Sequence, residues 1–336
     1  MPISQMIINL TIDRSSVVSE SSRSKASTWP YPRHREFEDG LRRVATKWFA
    51  DRQFPVDRRY PFMLAEWERW QDNLIDRAVA DYIEAERSRR EARREGFPLH
   101  KYVHHGLSSQ AMLFNLVGPL IVRSDLSPLR DAMEREGVQW PAGAVEADFE
   151  FEDRRIFNED AGQPTSIDLV VKDGAGQPRI FIESKLVERE FGGCSVFAMG
   201  DCDGRNPAPE PQSCYLHHIG RSYWTLLQQH GFLNGPMAND SMCVLANHYQ
   251  FFRELLLALH LDGVFILLSD ERTPTFHCRG RNGHDRGLMP LLLGMVPAGL
   301  RNRVGSVSIQ QVVSAIKDSE RHPWIREFET EYSLAL

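Results

Sequence analysis

An aspartate inside one apolar run and a Glu-x-Lys at the end of the next are the residues of this chain best suited to chemistry. The runs are Thr165-Ser166-Ile167-Asp168-Leu169-Val170-Val171 and Arg179-Ile180-Phe181-Ile182-Glu183-Ser184-Lys185. Hard divalent cations such as Mg²⁺ take carboxylate, carbonyl and water oxygens, usually with only one or two protein carboxylates. A cation so held polarises a phosphoryl oxygen and lowers the pKa of a bound water. A neighbouring lysine stabilises negative charge developing on phosphorus or positions the attacking water. The same carboxylates keep that lysine protonated. Asp168 and Glu183 as metal ligands, with Lys185 beside them, therefore point to metal-dependent hydrolysis of a phosphodiester.

The two runs must be strands for this to work. Alternate side chains of a strand share a face, so Phe181, Glu183 and Lys185 point one way and Ile180, Ile182 and Leu186 the other. In the preceding run Ser166, Asp168 and Val170 oppose Ile167, Leu169 and Val171. Asp173-Gly174-Ala175-Gly176-Gln177 between them is hairpin punctuation. A loop of residues 174–177 pairs Asp173 with Pro178 and sets Asp168 opposite Glu183, on one face. A loop one residue longer or shorter separates the carboxylates unless a bulge corrects it. The same trio on a solvated hairpin would be only a cross-strand ion pair. Against that, Ile180-Phe181-Ile182 reads as a central strand, whose charged end needs a reason.

Asp168 followed by Glu183-x-Lys185 resembles the PD-(D/E)XK superfamily of restriction-endonuclease-like nucleases. Residues 186–194 and the stretch Ser108-Ser109-Gln110-Ala111-Met112-Leu113-Phe114-Asn115-Leu116 are also similar to that group, and the likeness covers roughly residues 105–270. The resemblance implies an α/β fold with a mixed central sheet flanked by helices. It implies a Mg²⁺- or Mn²⁺-dependent (endo)deoxyribonuclease with DNA as substrate and the Ser184 carbonyl as a third metal ligand. Ile167 stands where the pattern has proline. Gln110 stands near the place of a metal-binding glutamate on the first helix, and glutamine is a poor metal ligand.

Flanking patterns fit that core. Residues 108–122 show helical apolar spacing behind a serine start. Residues 145–152 alternate as a first strand, with Ala147, Phe149 and Phe151 inward and Glu146, Asp148, Glu150 and Glu152 opposite. Glu150 or Glu152 could add a metal ligand; a solvated edge is the plainer reading. Residues 242–261 read as a buried helix and 263–268 as the closing strand. A Gly-, Pro- and Cys-containing insertion, residues 191–221, holds Cys194, Cys202, Cys214 and His217. Its Cys-x-x-His at 214–217 suits structural Zn²⁺, although free cysteines also pack as small hydrophobes; a four-cysteine iron–sulfur site, the less favoured alternative, would need Cys243 or Cys278 as well.

The chain divides into a Ser-rich flexible segment (1–35, with a short apolar start at Met6 to Leu10) and a helical N-terminal region (36–104). The nuclease-like core (105–270) and a C-terminal region of loop and helices (271–336) follow. A long helix is expected from near Pro61, with Arg87, Arg89, Arg90, Arg93, Arg94 and Lys101 clustered at its end. That cluster either contacts phosphates or forms a solvated helix end. Arg279, Arg281, Arg286, Arg301 and Arg303 make a second basic region. A formal net charge of −6 is not that of a generic DNA-coating protein, so binding must use local basic patches. Apolar runs fall short of a membrane span. Five cysteines, with no secretory-type leader, disfavour a disulfide framework and favour a reducing cytoplasm. A homodimer is reasonable for double-strand cutting, though no dimer face is visible. Two rival readings stand: a nucleic-acid-binding module of the same fold with a decayed site, favoured by the missing helix glutamate, and a zinc-containing interaction protein resting on the insertion.

Overall fold

A computed structural model describes residues 32–143, 145–159, 164–279 and 283–334. The two apolar runs are adjacent strands of a five-stranded mixed sheet in the order β1-β2-β3-β4-β7. Strands β1 (Glu146–Asp153), β2 (Thr165–Lys172) and β3 (Pro178–Lys185) form an antiparallel meander. β4 (Val264–Ser269) and β7 (Val304–Ser308) add on in parallel, while β5 (Cys278–Arg279) and β6 (Asp285–Arg286) pair separately. β3 is buried at every position but Arg179 because it is central and covered on both faces. The expected closing strand, β4, is not the edge; β7 lies beyond it. The short Val-Gly-Ser-Val-Ser of β7 carries too little pattern to announce a strand.

Helices cover both faces. One core packs α1 (Pro32–Asp51), α2 (Arg77–Ala92), α3 (Ser109–Val122), α4 (Ser127–Arg135), α8 (Ile309–Asp318) and α9 (Ile325–Glu331) on Phe149, Leu169, Ile180, Ile182 and Ile266. The other packs α5 (Tyr223–Gln229), α6 (Val244–His260) and α7 (Leu288–Met295) on Val170, Phe181, Phe265 and Leu267. The result is an α/β fold of the expected class. No helix among the described residues is long and apolar enough to cross a membrane.

Local chemistry sets the site hairpin. The Asp173 carboxylate accepts from the N–H groups of Ala175 and Gln177, and Gly176 supplies φ +77°. Leu169 pairs with Ile182 and Val171 with Ile180, so the next position sets Asp168 opposite Glu183. A one-residue irregularity between Val171 and Lys172 pairs Lys172, not Asp173, with Pro178. The bulge absorbs the difference near the turn and leaves the expected register at the site.

Strict alternation does fail at one level of the sheet. Phe151 and Ile167, expected beside Phe149 and Leu169, pack in the opposite core. The ladder skips only the Glu150–Asp168 pair, and Glu150 has φ +52°. A residue in this left-handed region reverses the side-chain sequence of its strand, at a cost of about 1–2 kcal/mol. Buried Arg90 holds the inversion: it donates to the carbonyls of Phe149 (2.7 Å) and Glu150 (2.6 Å). Arg90 is thus a strut for β1 and is not free for phosphate contact. Arg90→Ala is expected to cost about 3 kcal/mol, the scale of a charged hydrogen-bonding group lost from buried partners. Urea unfolding reads it, and a change under about 0.5 kcal/mol would mean that β1 holds its shape unaided.

The N-terminal region is less continuous than its spacing suggests. Residues 1–31, most of the segment expected to be flexible, lie outside the described residues, and from Pro32 the chain is already α1. The long helix expected from Pro61 is a 3₁₀ turn, Trp67–Asn73, followed by α2. Pro55 and Pro61 bias their predecessors away from helix, Asp57 captures the N–H groups of Arg59 and Tyr60, and Asp76 caps α2 afresh. In the second basic region Arg281 lies outside the described residues. Arg301 donates to the Val296 carbonyl and Arg303 to that of Gly263, so both serve loop structure.

Candidate active site

Asp168, Glu183 and Lys185 open into one cavity of about 630 Å³, which Gln110, Glu150 and Gln250 also line. Asp168 reaches it from β2, Glu183 and Lys185 from the end of β3, Glu150 from β1, and Gln110 and Gln250 from α3 and α6. The Ser184 N–H donates to Asp168 Oδ2 at 2.8 Å. In an antiparallel ladder the N–H and C=O of one residue face the same neighbour, so the Ser184 carbonyl is turned toward Asp168 as well. Lys185 Nζ lies 2.7 Å from Glu183 Oε1. Gln250 of α6 bridges the pair: its Oε1 accepts from Lys185 Nζ at 3.0 Å and its Nε2 donates to Glu183 Oε1 at 2.6 Å.

Glu150 and Glu152 part company. Glu150 lines the cavity, held by Gln110 Nε2 (2.6 Å) and the Ser166 hydroxyl (3.1 Å). Glu152 lies in a separate groove with Arg154 and Lys172. Gln110 therefore makes a contact that glutamate could not: its amide donates to Glu150 and to the Pro98 carbonyl, while its oxygen accepts the His100 N–H. The helix position that lacks a carboxylate thus fixes a carboxylate arriving from β1.

The electrostatics of the site are those of crowded like charge. Burial, then Glu183 and Glu150, push the Asp168 carboxyl well above its usual range. Glu150 is pushed up to about 7 by burial, with Glu183 adding to the effect and its two hydrogen-bond donors opposing it. Wholly buried Glu254, one turn along α6 from Gln250, is raised by burial and then by Glu183. Burial draws the Lys185 ammonium down, but Glu183, helped by Glu188, Glu254 and Asp168, overrides it and holds the pKa above the ordinary lysine value. His105, on the cavity wall, is held down to about 4 by burial, His104 and Arg42, so it is neutral near pH 7.

This donor set suits a small hard cation. Repulsion among the carboxylates is relieved by a divalent charge placed between them. Among the described residues no three His, Cys, Asp or Glu groups stand ready around one ion; a two-carboxylate site completed by a backbone carbonyl and waters is the coordination Mg²⁺ accepts.

Gln250, Glu254 and Glu188 escaped the sequence reading. Gln250 and Glu254 are an i,i+4 polar pair in a helix whose buried positions other than Glu254 are all apolar, which was the available signal. Glu188 accepts from the Ser109 hydroxyl at 2.6 Å and from the Leu186 N–H at 2.7 Å, tying α3 to the end of β3. Of the expected zinc set, Cys194, Cys202 and Cys214 line a second cavity together with Cys243, and His217 is not on its wall.

One family model, that of REase-ARP, described as Restriction Endonuclease associating with ARP, matches residues 32–333. No curated protein and no solved structure gives a match.

Proposed function

The chain belongs to this restriction-endonuclease family, and from that premise we propose that it is a Mg²⁺-dependent nuclease of the PD-(D/E)XK type, hydrolysing phosphodiester bonds in DNA. The observation that carries this reading is the juxtaposition of Asp168 and Glu183 across β2 and β3, with Lys185 against Glu183, at the wall of one cavity. Asp168, Glu183 and the Ser184 carbonyl would hold the metal, which when bound supplies Lewis-acid polarisation of a phosphoryl oxygen and a more acidic water. Lys185 holds positive charge where negative charge develops on phosphorus. Gln250 keeps the Lys185 and Glu183 side chains in fixed rotamers, and Glu150, held by Gln110 and Ser166, adds negative charge that favours cation binding.

Of the two rivals, the decayed site rested on the missing helix glutamate. The Gln110–Glu150 contact weakens that support, because a third carboxylate faces the same cavity. The direct test is cleavage of labelled single- and double-stranded DNA with Mg²⁺ or Mn²⁺, and with EDTA as control. Metal-dependent cutting is expected; DNA binding without cutting under either ion would favour the binding-module reading.

Gln250 supplies a finer test. Gln250→Ala is expected to lower the cleavage rate about 10- to 100-fold, the usual penalty for removing a partner that orients a metal ligand. Its thermal midpoint in EDTA should remain close to that of wild type. An unchanged rate across a Mg²⁺ titration would show that Lys185 and Glu183 orient each other unaided.

A further inference from the structure

Cys194, Cys202, Cys214 and Cys243, spread over fifty residues of sequence, line one cavity of about 460 Å³. The fifth cysteine, Cys278, is in β5, apart from that group. The backbone around the four is tied together. Cys194 N–H donates to the carbonyls of Leu245 and Ala246 at the start of α6, and Cys243 N–H donates to Gly204 O at 2.8 Å. Gly193 lies so close to α6 that a Cβ would stand 2.4 Å from Ala246 O. Cys202 Sγ accepts a backbone N–H bond from Gly204 at 3.4 Å, while at Cys243 burial and the neighbouring Cys214 and Cys194 push the thiol up to about 11, against the opposing pull of the Leu245 and Ala246 N–H groups. Gly204 makes the first turn possible, with φ +75° and Phe197 where a Cβ would go.

We propose that these four thiols hold a thiolate-bound metal centre, with Cys243 in the place that sequence spacing gave to His217. Soft sulfur ligands select Zn²⁺ or an iron–sulfur cluster over hard cations. Backbone N–H groups aimed at sulfur stabilise the thiolate form that either occupant requires. The insertion leans on the neighbouring core through buried Phe191 and half-buried Phe197, Ala208 and Leu216, but its turns enclose no core of their own. None of the side chains in its helical turns Ser195–Ala198, Pro211–Ser213 and Tyr215–His218 is buried. A segment with no core of its own is rigidified by a metal cross-link. The four cysteines line the cavity without converging on one point, so either occupant, a single zinc or a cluster, draws the sulfurs in as it binds. The centre anchors the first turn of α6, the helix that presents Gln250, but it does not depend on the nuclease reading.

The test is metal analysis of protein purified without oxygen, together with its visible absorption and a thiol count. About one zinc, or about four irons with a cluster absorption band, is expected per chain. Cys243→Ser and Cys202→Ser should lose most of the metal, whereas Cys278→Ser and His217→Ala should keep it. Wild-type protein guards against variants that fail to fold: natively only Cys278 should react with a thiol reagent, and all five after denaturation with chelator. Zinc and iron are separated by the analysis, and either supports the centre. Metal-free protein even after growth in zinc and iron, metal retained in Cys243→Ser, four freely reactive native thiols, or a disulfide between any two of the four would each overturn it.

Discussion

Lys185→Met is expected to lower the single-turnover rate of Mg²⁺-dependent DNA cleavage about 10²- to 10³-fold, the loss that follows removal of one preorganised charge-stabilising donor. Methionine keeps the aliphatic stem that packs at the end of β3 and removes only the ammonium. The prediction discriminates because the plain alternative, a structural ion pair with Glu183, is also visible as a 2.7 Å contact. Breaking such a buried pair strands a carboxylate and costs about 3–5 kcal/mol. A structural lysine would therefore show its loss in the melting temperature and leave the rate per folded molecule intact. A charge-stabilising lysine shows it in the rate even where Mg²⁺ restores the melting temperature. Melting curves and single-turnover rates on the same preparation, with and without Mg²⁺, separate the two. Full activity in a destabilised Lys185→Met protein would end the catalytic assignment.

What the sequence disclosed, and what it withheld, follows from the range of the interactions. Asp168 could be set opposite Glu183 because both lie on one hairpin whose turn chemistry, Asp173 to Gln177, is local. The capped start of α3 at Ser108 was legible for the same reason. That Glu150 and not Glu152 enters the cavity was not, since a left-handed non-glycine residue has no composition signal and its strut, Arg90, comes from sixty residues away. Arg90 read as one of a run of surface arginines, yet it is buried against β1. Gln250 was hidden by similar distance, and the same distance left no means of choosing Cys243 over Cys278 or His217. α6 brings both home only after the insertion has folded back on it. His217 was favoured by Cys-x-x-His spacing, a local pattern, whereas the cavity that collects the cysteines is assembled from separated segments. β7 failed for another reason: five residues rich in serine and glycine pair by position next to β4, not by propensity.

Asp168→Asn is expected to act in opposite directions on rate and on stability. Asparagine still offers an oxygen to the Ser184 N–H, so the hairpin geometry survives. Its neutral amide is a far weaker ligand for a hard cation, and cleavage should fall about 10³-fold, as several kcal/mol of transition-state stabilisation supplied through the metal are lost. Stability of the metal-free protein should rise. Burial, Glu183 and Glu150 hold the Asp168 carboxyl above its ordinary pKa, and Glu150 itself is raised to about 7. Raised carboxyls take up protons on folding, so the folded state of the wild type binds more protons than the unfolded chain in this range. The linkage then runs one way: metal-free wild type is most stable below the ordinary carboxylate values and loses stability as pH rises toward the raised ones. For Glu150 that interval runs from about 4.5 to about 7. Mg²⁺, competing with these protons, should recover stability most at the alkaline end. In EDTA at pH 8, Asp168→Asn should melt above wild type, and the difference should shrink as the pH is lowered and the wild-type carboxyl takes up its proton. Adding Mg²⁺ should raise the wild type much more than the variant. A variant that is less stable than wild type at pH 8 and still cuts DNA would mean that Asp168 is neither a strained carboxylate nor a metal ligand.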